Sequence, residues 1–386
     1  MTINNENKKL NVPNLRFPEF QGEWEKCKLS DLCTFFSGGT PSSSNKDFYG
    51  GDIAFIRSGE LHADSTELFI TQDGYDNSSA KMVEVGDLLL AMYGATSGDI
   101  AVSKIKGAIN QAILCIRTNQ NKKFVESVWN KHVSKILRKY LQGGQGNLSA
   151  DIVKRISFSF PTLEEQERIA NLIYLLDERI AIQNKVIDKL QSLIKGIVDC
   201  TILSKEKNAI VGDVCSISEQ IRAEANIDDI ITVRLHGNGV CKSSAENLQL
   251  GATQYYRRRA GQLIYGKQNF HNGAIGIVPI SLDNGITSKD IPSFDIDEMK
   301  CNSVYLLAQL QSPQYYKPAE ALTTGTGSKR LKEEIFLKMP IVLPNKREQD
   351  NIAVLIHRAS MNLDHAKRLL ELLSIQKQYL LRQMFI

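Results

Sequence analysis

Phe160-Pro161-Thr162-Leu163-Glu164-Glu165-Gln166-Glu167-Arg168-Ile169-Ala170 opens a long segment with helical apolar spacing, and Leu343-Pro344-Asn345-Lys346-Arg347-Glu348-Gln349-Asp350-Asn351-Ile352-Ala353 opens another. Pro161 matches Pro344, Gln166 matches Gln349 and Ile169 matches Ile352. Each pair lies 183 positions apart (344 minus 161) in a chain of 386 residues. A period close to half the length marks an internal duplication. A duplicated module has an approximate two-fold axis and suits a partner with two related halves. Duplex DNA read as two half-sites is one such partner.

Thr162 can cap the first segment, and Glu165 three residues on would complete a capping box. Heptads counted from Ile169 place Ile169, Leu176, Gln183, Leu190 and Ile197 at position a, and Ile173, Ile180, Ile187 and Ile194 at position d. Only Gln183 is polar. So regular a seam predicts a coiled coil, with a rod of about 60 Å for some forty residues. The second segment places Ile352, Ala359, Ala366, Leu373 and Leu380 at a, and Ile356, Leu363, Leu370 and Lys377 at d. Its two alanines leave room for the bulky side chains of the first seam. The two segments are therefore expected to pack antiparallel on each other, with homodimer seams as the alternative.

Outward from the helices, residues 1–23 read as a polar tail, 24–160 as a first globular module, 161–205 as a central helix, 206–343 as a second module and 344–386 as a C-terminal helix. Asp52–Arg57 and Gly86–Met92 look like short strands, Phe124–Leu141 like a helix, and Ile156–Phe160 like a half-buried strand. The second module echoes the first. Val214-Cys215 aligns with Leu32-Cys33, Ala260–Gly266 with the Val85–Leu89 stretch, and Gly325-Thr326-Gly327 with Gly144-Gln145-Gly146.

The apolar fraction of 42% and charged fraction of 23% are those of a globular protein. Net charge is +4, a mildly basic balance that alone says little about partners. No apolar run approaches membrane-spanning length, and the polar N-terminus has no secretory h-region. Seven scattered cysteines form no Cys-x-x-Cys pair, so reduced thiols in a cytoplasm are expected and a zinc site is not.

Globular module, helix, globular module, helix is the plan of type I restriction-modification specificity subunits, which this chain resembles. The likeness rests on the two Pro-x-x-x-Glu-Gln helix starts, on Gly86–Thr96, on Ile109-Asn110-Gln111-Ala112, and on the opening Asn14–Phe20 with Gly22-Glu23-Trp24. It implies an α+β fold: two pseudo-symmetric globular α/β target-recognition domains separated by two long antiparallel coiled-coil helices. It also implies that each domain reads one half of a split double-stranded DNA target. The helices would set the spacing and dock two methyltransferase subunits, and motor/nuclease subunits would complete the complex. S-adenosylmethionine, ATP and magnesium would belong to those partners, with no cofactor or metal on this chain.

The sequence itself offers no catalytic residues. It has no Pro-Pro pair for an amino-methyltransferase loop, no Gly-Lys-Ser/Thr phosphate loop and no His-Glu-x-x-His. The weak Asp295 with Glu298-Met299-Lys300 grouping does not make a nuclease. A self-contained methyltransferase or nuclease, or a coiled-coil scaffold without nucleic acid, are the alternative readings.

Phosphate contacts call for Lys, Arg and small hydroxyls, and base reading for Arg, Lys, Asn, Gln, Ser or Thr on exposed loops. In the first module these are Thr40, Ser42 and Lys46, then Arg57, Tyr93 and Thr96, then Gln145 and Asn147. In the second they are Arg234, His236 and Asn238; Arg257, Arg258 and Arg259; Lys267, Gln268, Asn269 and His271; and Lys329 and Arg330. The loops differ between the copies, so an asymmetric target is expected.

Overall fold

The computed structural model describes residues 10–140, 147–243, 253–324 and 329–386. The chain divides into two units, Met1–Ile182 with Leu369–Ile386, and Gln183–Arg368. Both boundaries fall inside the long helices, so each globular module carries a part of each.

In unit 1 the chain runs β1 (Glu25–Lys28), α1 (Leu29–Leu32), β2 (Cys33–Ser37), β3 (Tyr49–Ile56), β4 (Phe69–Ile70), α2 (Gln72–Asp76), β5 (Lys81–Val83), β6 (Leu88–Ala91), β7 (Ile100–Val102), β8 (Gly107–Ile109), β9 (Ile113–Thr118), α3 (Lys122–Tyr140), α4 (Ala150–Arg155), β10 (Ser157–Phe160) and the start of α5 (Leu163–Val198). Its central sheet has the order β2-β9-β6-β7, all antiparallel, and a second sheet has the order β4-β3-β8-β5, in which β3 and β8 are parallel.

Unit 2 follows with β11 (Ala209–Ile210), β12 (Cys215–Ile217), β13 (Arg222–Ala223), β14 (Ile231–Val233), β15 (Val240–Lys242), β16 (Tyr255–Arg257), β17 (Leu263–Tyr265), β18 (Ile275–Ile277), β19 (Ile286–Ser288), β20 (Ser293–Ile296), α6 (Ser303–Leu310), α7 (Pro313–Tyr316), α8 (Glu333–Leu337), β21 (Pro340–Ile341) and α9 (Lys346–Gln383). Its main sheet, β12-β20-β17-β18, repeats the order and the antiparallel sense of β2-β9-β6-β7. Likewise β11 pairs with β21 as β1 pairs with β10, each tying the strand at the front of a module to the strand that leads into its long helix.

The matching glutamines explain why both helix starts share a sequence. Gln166 and Gln349 are fully buried. Gln166 Oε1 accepts the Asn121 N–H (3.1 Å) while its Nε2 donates to Pro161 O (2.9 Å) and Gln120 Oε1 (2.7 Å). Gln349 Oε1 accepts the Asn302 N–H (2.9 Å) while its Nε2 donates to Pro344 O (2.8 Å) and Lys300 O (3.1 Å). Asn121 and Asn302 in turn cap α3 and α6 through their side-chain oxygens. One amide thus fastens the start of the long helix to the cap of the module's own helix.

The capping box expected at Thr162 is half realised. Thr162 Oγ1 accepts from the Glu165 N–H at 3.4 Å, but the Glu165 carboxylate turns away and is buried. It receives Arg16 through two bonds of 2.7 Å and Trp24 Nε1 at 3.3 Å. A buried carboxylate needs a cation more than a helix end needs a second cap. The segment Asn11–Trp24, expected to be a tail, is therefore a strap. Leu15 N donates to Gln383 O (2.9 Å), and Trp24 lies in the core beside Phe124.

The seams are covered within each unit. In unit 1, Ile169, Ile173 and Leu176 are buried, and Ile169 and Ile173 share a core with Met384 and Phe385. Asp177 binds Lys377 at 2.5 Å, which accounts for a lysine at a d position. Ile180 and Leu370 are half-buried and Leu373 is buried. In unit 2, Ile187, Ile352 and Ile356 are buried, as are the small Ala359 and Ala366, while Leu190, Ile194 and Leu363 are half-buried. The polar Gln183 reaches Ala366 O (3.0 Å). In each unit the helix segments run antiparallel: the early part of α5 meets the late part of α9, and Val198 shares a core with Ile352. No helix among the described residues is long and apolar enough to cross a membrane.

Candidate nucleic-acid interface

The strands bring most of the singled-out loops of unit 1 to one end of its sheets. β6 ends at Ala91 opposite Ile113, where β9 begins, and β2 ends at Ser37 opposite Leu114. β3 ends beside β8, with Ile56 level with Ile109, so Arg57 leaves at the same end as Asn110. Gly38 N donates to Asn110 O (3.2 Å), Met92 N to Ala112 O (2.8 Å), and Leu148 N to Met92 O (3.0 Å). Thr40, Arg57, Tyr93, Thr96 and Asn147 thereby converge. Thr40 is exposed and its Oγ1 donates to Gln111 Oε1 (2.9 Å). Ser42 and Lys46 are exposed on the loop after it, with Ser42 Oγ 2.7 Å from Ser44 Oγ. Arg57 is held by Glu60 at 2.5 Å, and this bond keeps the Glu60 carboxyl below its usual range. Tyr93 and Thr96 are half-buried, Asn147 is exposed, and Gln145, with the Gly143-Gly144 turn, lies outside the described residues.

Unit 2 repeats the backbone of this end. Gly266 N donates to Ala274 O (2.9 Å) as Ala91 N does to Asp99 O (2.8 Å). Lys267 N donates to Asp290 O (2.9 Å) as Met92 N does to Ala112 O, and Leu331 N to Lys267 O (2.9 Å) as Leu148 N does to Met92 O. Lys267 therefore stands where Met92 stands, and Gln268 where Tyr93 stands. Gln268 and Asn269 are exposed; His271 is half-buried, and its Nδ1 finds no partner among the described residues. The β14–β15 hairpin joins the same end, because His236 N donates to Asn272 O (2.7 Å) and Gly237 N to Gly273 O (2.9 Å). His236 takes a left-handed turn conformation (φ 59°), and Arg234, His236 and Asn238 are all exposed on it. Arg234 Nε donates to Cys241 Sγ (3.0 Å) and Asn238 Nδ2 to Leu235 O (2.9 Å).

The cations here are already paired: Lys267 with Glu333 (2.7 Å), Arg330 with Asp290 (3.2 Å) and Lys329 with Glu320 (3.7 Å). Lys267 is largely buried in its pair, whereas the Arg330 and Lys329 pairs are exposed and hold by no more than about 1 kcal/mol. An incoming anion can take over such a cation at little cost. The Gly325–Ser328 part of the neighbouring loop lies outside the described residues.

The arginine triplet needs correcting. Arg259 precedes β17 whereas Lys267 follows it, so Arg257 and Arg259, both exposed, leave the sheet at the opposite end from Lys267–His271. Arg258 is wholly buried and is not a surface cation. Its guanidinium donates to Thr287 Oγ1 (2.7 Å), Ser293 Oγ (3.0 Å) and Ile291 O (2.9 Å). Burial drops its pKa to about 10, so it stays charged at neutral pH. Arg258, the first residue beyond β16, turns inward between two arginines that are exposed, and nothing in the run Arg257-Arg258-Arg259 marks which of the three is buried.

At that opposite end the two units differ by an exchanged pair. Asp87 accepts Arg117 (2.7 Å) in unit 1; Gln262 Nε2 donates to Asp295 (2.8 Å) at the matching positions of unit 2. Burial would raise the Asp87 pKa, but Arg117 and the Glu84 N–H outweigh it and hold the carboxyl below its ordinary value.

Residues 21–192 match the family described as the type I restriction modification DNA specificity domain. The match covers just under half of the chain and likens it to the type I specificity subunits. The MjaVIII specificity subunit of Methanocaldococcus jannaschii is 21% identical over 381 residues, covering 88% of this chain and 86% of that one. The EcoR124I/EcoR124II specificity subunit of Escherichia coli is 26% identical over 174 residues, or 42% of this chain, and the match spans only 43% of that relative's length. Among solved structures, the type I restriction-modification S subunit from M. genitalium shares the fold with a TM-score of 0.65 at 12% identity, covering 97% of this chain and 99% of that one. The resemblance read from the helix starts and the α+β fold expected from it both stand.

Proposed function

We propose that this chain is the DNA-reading subunit of a type I restriction-modification complex and carries out no chemistry itself. Each unit reads one half of an asymmetric, bipartite, double-stranded target. One observation supports this above the others: the two units repeat the same hydrogen-bonded frame at one sheet end and hang different polar side chains on it. A common frame gives both units the same approach to a duplex. Unlike side chains select unlike bases. The paired lysines and arginines would exchange their carboxylates for phosphates, making binding steeply salt-dependent.

The long helices act as the spacer between half-sites and as the dock for two methyltransferase subunits. Their outward positions support docking: Leu175, Ile182 and Leu193 on α5, and Leu369, Leu372 and Ile375 on α9, are exposed apolar side chains. Motor/nuclease subunits complete the assembly in the cytoplasm, and S-adenosylmethionine, ATP and magnesium reside on the partners.

The test is to purify the chain with its methyltransferase partners and sequence the methylated positions in exposed DNA. Replacing Lys267, Gln268 and Asn269 together with Ala should relax or erase one half of the methylated sequence while assembly survives. Unchanged sequence choice at both halves refutes the reading. Inserting four residues into α5 near Lys189 should alter the gap between half-sites or stop assembly, and unchanged spacing at full activity refutes the spacer role.

A further inference from the structure

The two units part where the chain leaves the strand beside β8 or β19. β3 runs parallel to β8 at Phe55 and Ala108, and the chain at Ile230 runs parallel to β19 at Ile286. Unit 1 then folds back through a short turn of helix, Ser58–Glu60, held by the Arg57–Glu60 pair. Unit 2 instead extends into the β14–β15 hairpin. Its base is sunk in the core through Ile231 and Val233. Its flank lies flat on β18, where a Cβ on Gly276 would come within 2.9 Å of Val240. Its tip is closed by Arg234 N donating to Gly239 O (2.9 Å) and Asn238 N to Leu235 O (3.3 Å), and is tied to the sheet end by the N–H groups of His236 and Gly237. The tip lies outside the stretches that carry the likeness to other specificity subunits, so it is free to set this chain apart from them.

Three residues of the tip have left-handed backbone: His236 (φ 59°), Gly237 (φ 70°) and Gly239 (φ 74°). Glycine adopts that conformation without penalty, whereas a Cβ is strained there. Glycine fills two of the three positions, and the third keeps a histidine. Besides glycines, Asn284 (φ 65°) is the one other left-handed position among the described residues. Asn284 is accounted for locally: its amide donates to Asp283 Oδ2 (3.0 Å), and asparagine tolerates such turns well. The His236 imidazole has no such use. It is exposed and makes no hydrogen bond among the described residues. Strain retained for an unbonded, outward side chain marks a contact made outside the chain.

We infer that His236 is a specificity-determining residue of unit 2, donating an imidazole N–H to N7 of a purine in the major groove from the pinned hairpin tip. This rests on the DNA-reading function proposed above. Imidazole carries at least one N–H donor whatever its charge. Both purines present N7 as an acceptor on the major-groove edge, and neither pyrimidine has it. The hairpin is a two-stranded ribbon, a shape which that groove admits. Its fixed backbone gives the ring a fixed starting point. The half-site read by unit 2 should therefore hold one position read as a purine through this hairpin.

The experiment uses the full complex with its methyltransferase partners. Methylated sites are sequenced for the native chain, His236→Gly, His236→Asn and, as a control, Asn284→Gly. Substrates carrying a 7-deazapurine at single positions probe N7 directly. Assembly is checked by co-purification and stability by urea unfolding. His236→Gly should unfold at a urea concentration no lower than the native chain, because strain is relieved. It should nonetheless lose discrimination at one base pair of one half-site by about twofold to tenfold, the worth of one hydrogen bond. His236→Asn, which tolerates the left-handed turn, should alter the choice at that same base pair alone. Asn284→Gly, which relieves the same strain at the other end of the sheet, should leave both halves unchanged. A 7-deazapurine at the position read should weaken methylation by the native complex and not by His236→Gly. Unchanged choice at both halves for His236→Gly overturns the inference. So does a uniform loss of methylation with all base preferences kept, which would make His236 a phosphate contact. A His236→Gly chain that unfolds earlier or fails to assemble also overturns it, by giving the ring a structural role. If the native complex shows no split sequence at all, the DNA-reading proposal fails first and this inference goes with it.

Discussion

Gln349→Ala removes the amide that fastens α9 to α6. Three part-buried polar groups around the buried amide lose their partner: the Asn302 N–H, Pro344 O and Lys300 O, now satisfied at 2.9, 2.8 and 3.1 Å. A buried group left unpaired costs about 1–3 kcal/mol, and water entering the vacated space recovers part of that, so the loss is about 2–4 kcal/mol in total. Against a domain stability of about 5–15 kcal/mol this is a large fraction. Urea unfolding of the purified chain gives the global change. Hydrogen exchange localises it: amides around Asn302–Leu306 should lose protection while those around Asn121–Val125 keep theirs, and Gln166→Ala should give the mirror result. Gln349→Glu adds a sign test. Its carboxyl would still accept from Asn302 but face two carbonyl oxygens when ionised, raising its folded pKa above the unfolded value of about 4.3. A raised acid makes stability highest below the unfolded pKa and erodes it as pH climbs through that value. A loss below about 0.5 kcal/mol for Gln349→Ala, or equal deprotection around both helix caps, would refute the account of the shared helix starts.

Arg258→Met should fold and leave the salt dependence of DNA binding by the complex unchanged, whereas Arg258→Ala, which also opens a cavity, should cost about 3–5 kcal/mol in urea unfolding; a shallower salt slope for Arg258→Met would restore it as a phosphate contact. Asp87, held below its ordinary pKa by Arg117, contributes stability above its unfolded value of about 3.9 that fades as pH falls through it. Asp87→Asn should flatten that acid limb by about 1 kcal/mol at most, since Arg117 is largely solvated; an unchanged limb counts against the pair. Ile173→Ala, in the buried seam, should cost about 2–4 kcal/mol. Leu175→Ala, at a position 58% exposed, should leave the chain's stability within about 0.5 kcal/mol but weaken co-purification with methyltransferase. Equal effects of the two on stability would contradict the assignment of faces.

The repeat and the seams were legible because each depends on residues that do the same work twice. Gln166 and Gln349 fill the same buried bonding position, and few side chains besides an amide can accept and donate there together. Heptad positions are read from spacing alone, and even Lys377 fits once Asp177 is seen beside it. What stayed hidden depends on contacts distant in sequence. Glu165 looked like a cap because its true partner, Arg16, lies 149 residues away. Arg258 looked like part of a basic patch because burial separates it from neighbours of the same type. The turns that lead into β9 and β20 could not be matched by letters, since Asn110-Gln111-Ala112 and Ser288-Lys289-Asp290 share none. An asparagine amide and a serine hydroxyl close the same turn, so the backbone was kept while the text changed.

Unit 2 comes from one uninterrupted stretch, Gln183–Arg368, whereas unit 1 is completed by Leu369–Ile386, with Met384 and Phe385 sealed beneath Phe124. On a ribosome that makes the chain from its N-terminus, the module translated first must therefore wait. Its core stays open, closing only when the last turns of α9 emerge, while the later module can finish without it. Nascent chains halted before Leu369 should accordingly hold a protease-resistant second module behind a first one that is still cleaved.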